Sequence, residues 1–119
     1  MYNLVTDIKE REILLKTFSG LVNKTCLEHF IQKNGYGDDF IRILFKDNLD
    51  EYEDQEELNE IGTNRVVLFA EYPAAPKEEK MYLTFEELYS YASEAIQENH
   101  ENDSEIQELL LKLKEELYI

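Results

Sequence analysis

The chain contains several stretches in which apolar side chains recur at the spacing of one helix face. Asp7 and Glu10 have the spacing of a capping box and predict the start of the first helix. Its apolar face is then formed by Leu14, Leu15, Phe18, Leu21 and Val22. A second helix is predicted to begin with Thr25 and Glu28 as its capping box. It should end at Asn34-Gly35, since both residues accept the left-handed conformation found at helix ends.

Two further helices are predicted in the last third of the chain. Thr84 and Glu87 form a capping box ahead of an apolar face that comprises Phe85, Leu88, Ala92, Ala95 and Ile96. The polar residues 99–103 end this helix, and Asp103 or Ser104 caps the last one. The last helix has the clearest helical pattern, with an apolar face formed by Ile106, Leu109, Leu110, Leu113 and Leu117.

Between the two pairs of helices lie three segments that are typical of strands. Residues 40–45 and 65–72 are nearly continuous runs of β-branched, aromatic and other apolar residues, which predicts strands covered on both faces. Residues 80–83 form a short third strand, and the link 73–79 suits an antiparallel hairpin with a long loop. The order α-α-β-β-β-α-α predicts an α+β fold with a three-stranded antiparallel sheet, in a single domain spanning residues 1–119.

One segment does not follow these patterns. Residues 47–60, DNLDEYEDQEELNE, contain eight acidic side chains and no basic one. Such dense like charge opposes folding, so the segment is either a solvated linker or a surface for a basic partner. It can also form a short helix in which Leu49, Tyr52 or Leu58 touches the core. If the whole segment were helical, its charges would lie about 2.6 Å apart along the axis, close to the ~3.4 Å phosphate spacing of a nucleic-acid strand.

The charge of the whole chain narrows the range of partners. Its net charge of −15 disfavours binding to nucleic acids and anionic membranes and favours a basic protein partner. No run approaches the ~20 apolar residues needed to span a bilayer, and the N-terminal residues lack the pattern of a signal peptide. Cys26 is the single cysteine, so no internal disulfide is expected. These features predict a cytoplasmic protein.

Residues suited to catalysis or metal binding are few. Cys26 and His29 are spaced i, i+3 on a predicted helix, as a dyad or half of a metal site would be, but a structural zinc site takes four nitrogen or sulfur ligands. His100 lies in a polar turn. Residues 47–58 lack the central glycine of an EF-hand calcium loop. The chain is therefore expected to be no enzyme and to need no cofactor, metal or small-molecule substrate.

The eight tyrosines fit an interface with a basic partner, since tyrosine is enriched in binding hot spots. Tyr82, Tyr89 and Tyr91 have a simpler interpretation, in which they pack at the edge of the core.

The second half of the chain resembles a known family. Residues 65–117 combine the strand RVVLFAEYP, the loop APKEEK, the segment YLTFEELYSYASEAI and a leucine-striped helix in LLLKLKEELYI. This order resembles the immunity proteins of bacterial contact-dependent growth inhibition (CDI) systems, in particular the group paired with ribonuclease toxins. The resemblance implies a cytoplasmic protein that binds the nuclease domain of a toxin and blocks its active site. A basic, phosphate-binding active site is a suitable target for so acidic a chain.

The partner-binding surface is accordingly predicted on the acidic segment, with Tyr52 as an anchor. Its residues are Asp50, Glu51, Tyr52, Glu53, Asp54, Glu56 and Glu57. The alternative hypothesis is a small acidic adaptor or regulator that binds another basic protein. The position of the gene distinguishes the two, because an immunity gene should lie directly downstream of a large toxin gene.

Overall fold

The computed structural model describes residues 2–99 and 103–119. Within them the chain forms five α-helices: α1 (Ile8–Ser19), α2 (Lys24–Ile31), α3 (Gln55–Ile61), α4 (Phe85–Asn99) and α5 (Ser104–Glu116). It also forms five strands: β1 (Asn3–Leu4), β2 (Tyr36–Gly37), β3 (Ile41–Leu44), β4 (Arg65–Ala70) and β5 (Glu79–Thr84). A 3-10 turn at Lys46–Asn48 lies between β3 and α3.

The strands form one mixed sheet in the order β1-β5-β4-β3-β2. β1 runs parallel to β5, and the other neighbouring pairs are antiparallel. The α+β class is confirmed, but the predicted three-stranded antiparallel sheet is wrong. β1 joins the sheet because the backbone N–H groups of Asn3 and Val5 donate to the carbonyl oxygens of Glu78 and Lys80, at 3.0 and 2.8 Å. β2 adds the fifth strand through its two residues, which pair with β3.

The three predicted strands form the centre of this sheet. Residues 66–70 of β4 are all buried, which confirms a strand covered on both faces. Because successive side chains of a strand point in opposite directions, Val66, Leu68 and Ala70 belong to the main core. Val67 and Phe69 belong to a second, smaller cluster on the other face. The sheet is therefore the middle layer of the fold.

The main core lies between the sheet and four helices, α1, α2, α4 and α5. The predicted apolar face of α4 is buried completely. On the last helix Leu109 is half-buried, and the other predicted members of its face are buried. Tyr89 and Tyr91 pack at the edge of this core, as expected. The hydroxyl of Tyr91 also donates to the carbonyl oxygen of Leu15, at 2.5 Å, which joins α4 to α1.

Most of the predicted helix caps are present. Asp7 accepts a hydrogen bond from the backbone N–H of Glu10, at 3.1 Å. Thr84 and Glu87 bond each other's backbone N–H groups, at 2.9 and 3.1 Å, which is the reciprocal pattern of a capping box. Asp103 caps α5. The predicted end of the preceding helix falls partly on residues 100–102, which lie outside the described residues and include His100.

The predicted boundaries of α2 are wrong at both ends. Its N-cap is Asn23 rather than Thr25, and the Asn23 side chain accepts a hydrogen bond from the backbone N–H of Cys26, at 2.9 Å. Asparagine caps more strongly than threonine, and here it begins the helix two residues earlier. α2 ends at Ile31, and the left-handed conformation falls on Lys33, with φ of 54°, instead of on Asn34-Gly35.

The position of this cap gives the first testable prediction. Asn23→Ala should lower the free energy of unfolding by about 1 kcal/mol, because the Cys26 N–H group loses its partner. Thr25→Ala is the matched control, and it should change stability by less than about 0.5 kcal/mol, since Thr25 is an exposed helical residue. Urea unfolding of both variants measures the difference. Equal losses would contradict the assignment of Asn23 as the cap.

The edge of the sheet at β5 is closed in an unusual way. β1 pairs only with Glu79 and Lys80. Further along β5, the guanidinium of Arg11 donates to the carbonyl oxygen of Tyr82 at 3.0 Å. A second nitrogen of Arg11 lies 3.3 Å from a carboxylate oxygen of Glu87. A charged side chain from α1 thus occupies the edge of β5 where β1 has ended.

Candidate partner-binding surface

The acidic segment 47–60 covers the other face of the sheet. Leu49 of the segment and Ile61, which directly follows it, are buried against Val67 and Phe69 of β4, with Leu58 half-buried beside them. The segment contains a tight turn followed by α3, so the continuous helix with evenly spaced charges is not formed. Two of the expected core contacts, those of Leu49 and Leu58, are confirmed. Tyr52 instead points to solvent and is 82% exposed.

Two of the predicted site residues shape the turn that leads into α3. A carboxylate oxygen of Asp50 accepts hydrogen bonds from the backbone N–H groups of Tyr52 and Glu53, at 2.9 and 2.7 Å. A carboxylate oxygen of Asp54 accepts one from the backbone N–H of Asp50, at 2.8 Å. Aspartate is favoured in turns because its side chain bonds nearby backbone in this way. Asp50 and Asp54 therefore hold the conformation of the segment.

A third predicted site residue, Glu57, points inward. Its carboxylate lies 2.5 Å from Nζ of Lys80, and the two side chains are only 11% and 6% exposed. Burial alone would lower the pKa of Lys80 and is the largest single effect, but the hydrogen bond and charge of Glu57 together with the contribution of Tyr82 outweigh it, and the pKa is raised. Glu56 approaches the same nitrogen from the solvent side, at 3.3 Å. The ion pair fastens α3 to β5.

The other predicted residues project outward from the turn and from α3. Glu51, Tyr52, Glu53 and Glu56 are all exposed. In the described part of the chain, no cation pairs with the carboxylates of Glu51 and Glu53. We call these four residues the acidic face. Its side chains are accessible, and the segment that carries them is fixed by the Asp50 turn and by the Glu57–Lys80 pair.

A cleft of about 350 Å³ lies beside the acidic face. Its lining includes Glu53 and Glu56 of the acidic face together with Tyr2 and Arg42. The guanidinium of Arg42 donates to the Tyr2 hydroxyl at 3.1 Å and lies 5.4 Å from the centre of the Phe69 ring. Sequence reasoning missed this cleft. The signal available was that Arg42 and Lys80 are cations inside or beside apolar strand segments, where each must face away from the main core.

The Cys26–His29 pair does not have the properties of a catalytic dyad. Cys26 is completely buried in the main core, and burial raises the pKa of its thiol to about 12. A thiol in this state is not a nucleophile, since reactivity requires the thiolate. Nδ1 of His29 lies 3.0 Å from the carbonyl oxygen of Gly35, so the ring is hydrogen-bonded to the backbone of the loop after α2. Residues 2–99 and 103–119 contain no group of three or more histidine, cysteine, aspartate or glutamate side chains placed to hold a metal.

Comparison with protein families gives a match over most of the chain. A sequence model of the CDI immunity protein family matches residues 12–110, which contain the whole acidic segment and the four strands β2 to β5. The chain belongs to the CDI immunity protein family. This confirms the resemblance to CDI immunity proteins seen in the second half of the chain and extends it across most of the N-terminal half. No curated protein and no solved structure matches this CDI immunity protein.

No helix of the CDI immunity protein in the described ranges is long and apolar enough to cross a membrane.

Proposed function

We propose that this CDI immunity protein binds the basic nuclease domain of a CDI toxin, a ribonuclease, in the cytoplasm and covers its active site. The protein itself catalyses no reaction and does not contact nucleic acid. The observation that carries the proposal is the acidic face. Three accessible carboxylates and one exposed tyrosine project from a segment that is fastened to the sheet.

A ribonuclease active site contains cationic side chains because it stabilises phosphate, and carboxylates can pair with the same cations. The turn at Asp50 and the Glu57–Lys80 pair fix the segment before binding. Little conformational entropy is therefore lost when the complex forms. Tyr52 adds a large contact area with few rotatable bonds, as tyrosines do in many binding surfaces.

The net charge of −15 supports a second part of the proposal, electrostatic capture. Raising the salt concentration from 0.1 to 1 M should slow association with the toxin domain by at least about tenfold. The reason is that the Debye length falls from ~10 to ~3 Å, and surface charges act mainly on encounter. Dissociation should change less. Stopped-flow mixing with the toxin domain encoded beside the immunity gene measures both rates, and a salt-independent association rate would contradict capture by charge.

A nuclease assay tests the central claim. The toxin domain alone should degrade RNA, the immunity protein alone should not, and an equimolar mixture should be inactive. A toxin domain that cleaves no RNA, or a complex that remains fully active, would refute the proposal.

A further inference from the structure

A pocket of about 140 Å³ opens where the chain enters and leaves the acidic segment. Its lining consists of Lys33, Phe45, Lys46, Asp47, Gly62, Thr63, Arg65 and Phe85. The rings of Phe45 and Phe85 are almost fully buried and lie 6.0 Å apart between their centres. The pocket therefore combines an apolar wall with a charged rim, directly beside the proposed toxin-binding segment.

The charge of this pocket is opposite to that of the rest of the molecule. The chain has 27 acidic and 12 basic side chains. The pocket has three cations, Lys33, Lys46 and Arg65, and a single carboxylate, Asp47. None of the three cations forms an ion pair with a described residue. Among the described residues, the guanidinium of Arg65 donates one hydrogen bond, to the backbone carbonyl oxygen of Glu60 at 3.4 Å, and its other donors have no partner there.

The backbone of Lys33 has a conformation that is uncommon for lysine. Its φ of 54° is left-handed, at the end of α2 where glycine is favoured and lysine is strained. Nζ of Lys33 lies 5.1 Å from the centre of the Tyr118 ring. Strained residues that are not glycine occur preferentially at functional sites, where the strain is offset by what the side chain does.

We propose that this pocket receives one acidic side chain of the toxin, an aspartate or glutamate carboxylate. The inference rests on the proposed function, because it concerns the same complex. The volume suits the end of one side chain rather than a helix. The guanidinium can pair with a carboxylate through two parallel hydrogen bonds, and the phenylalanine rings can contact the methylene groups behind it.

Such a contact would determine how the toxin is oriented. An acidic face alone can pair with a basic surface in many registers. One cationic pocket next to it accepts only the register that brings a carboxylate of the toxin to that point. Charges placed in this complementary way confer specificity, because a register that brings a cation of the toxin to the pocket places like charges together.

The first test removes one positive charge from the pocket and measures the affinity for the toxin domain. Lys46→Gln and Arg65→Gln each make the protein more acidic, which by overall attraction should speed association with a basic toxin domain. We expect each variant instead to bind about tenfold more weakly, since a desolvated carboxylate loses its partner. Lys9→Gln is the matched control, because Lys9 is exposed on α1 and the change in net charge is the same. The control should bind as tightly as the parent or slightly more tightly.

The second test separates binding from folding. Lys33→Gly removes the side chain and relieves the left-handed strain, so the variant should unfold at the same or a higher temperature. It should nevertheless bind the toxin domain more weakly. A purely structural role would instead leave affinity unchanged.

The third test locates the carboxylate on the toxin. Each aspartate and glutamate on the toxin surface is changed to its amide and combined with Arg65→Gln in double-mutant cycles. One position should be non-additive with Arg65. If the parent binds and all pocket variants bind equally well, the pocket inference is overturned while the proposed function stands. If the parent does not bind the toxin domain, both are overturned.

Discussion

Replacing Glu51, Glu53 and Glu56 together by glutamine is expected to weaken toxin binding by at least about 100-fold, because truncating one desolvated charge partner alone costs ~2–5 kcal/mol. Glutamine keeps the size of each side chain and removes its charge, and all three positions are exposed, so the fold should persist. Calorimetry with the toxin domain measures the loss, and the variant should no longer protect cells. By the same measurement, Tyr52→Ala should lower the binding free energy by at least about 2 kcal/mol, because Tyr52 is the proposed anchor.

The matched control for this experiment lies on α5. Glu108, Glu115 and Glu116 are also exposed, and changing all three to glutamine gives the same net charge. This control should slow association slightly and leave dissociation unchanged, because the removed charges act only at a distance. Equal affinities for the two triple variants would show that the acidic face is not the interface. Asp50, Asp54 and Glu57 are left out, because their carboxylates hold the segment in place.

Removal of the Glu57 carboxylate should have the largest effect on stability. Glu57→Ala leaves the ammonium of Lys80 buried without its nearest partner, which should lower the free energy of unfolding by about 3 kcal/mol. The 6% exposure of Lys80 means that water can replace little of this interaction. Glu56, at 3.3 Å, can compensate in part. Urea unfolding followed by circular dichroism measures the loss.

Two further variants show whether the loss comes from the buried pair. Glu56→Ala should cost less than about 1 kcal/mol, because Glu56 is 75% exposed and its ion pair is solvated. Glu57→Leu combined with Lys80→Met removes both charges and should recover most of the stability, as apolar replacement of a buried ion pair often does. A loss from Glu57→Ala no larger than that from Glu56→Ala would contradict the anchoring role.

Helices and their caps could largely be predicted from the sequence, because both depend on residues close together in the chain. The apolar face of α4 and its Thr84–Glu87 cap needed only residues within a few turns. The start of α2 was missed for a local reason. The spacing of Thr25 and Glu28 fits a capping box, but the single cap at Asn23, two residues earlier, is the one that forms.

The outer strands could not be predicted from periodicity. β1 and β2 have two residues each, too few to show an alternating pattern. They are defined by backbone hydrogen bonds to distant parts of the chain, such as that from Asn3 to Glu78. Length and composition therefore predicted the central strands, while the number of strands and the parallel pairing depend on tertiary contacts.

The candidate site could also be predicted only as far as it depends on residues close together in the chain. The density of acidic residues predicts a binding surface within residues 47–60, but composition cannot tell which carboxylates point outward. One signal was available for Glu57, which lies four residues before the buried Ile61 and so on the same face of α3. The cationic pocket had no such signal, because its lining comes from four separated parts of the chain.

The closed edge of β5 has a consequence for the behaviour of the protein at high concentration. Apolar strands with open edges tend to recruit strands from other molecules and grow into aggregates. Here a new strand beside β5 would have to displace Arg11 from the Tyr82 carbonyl oxygen and break its contact with Glu87. The outermost strands, β1 and β2, each offer only two residues. The sheet is thereby protected against polymerisation through its edges, and recognition of other proteins falls to side chains.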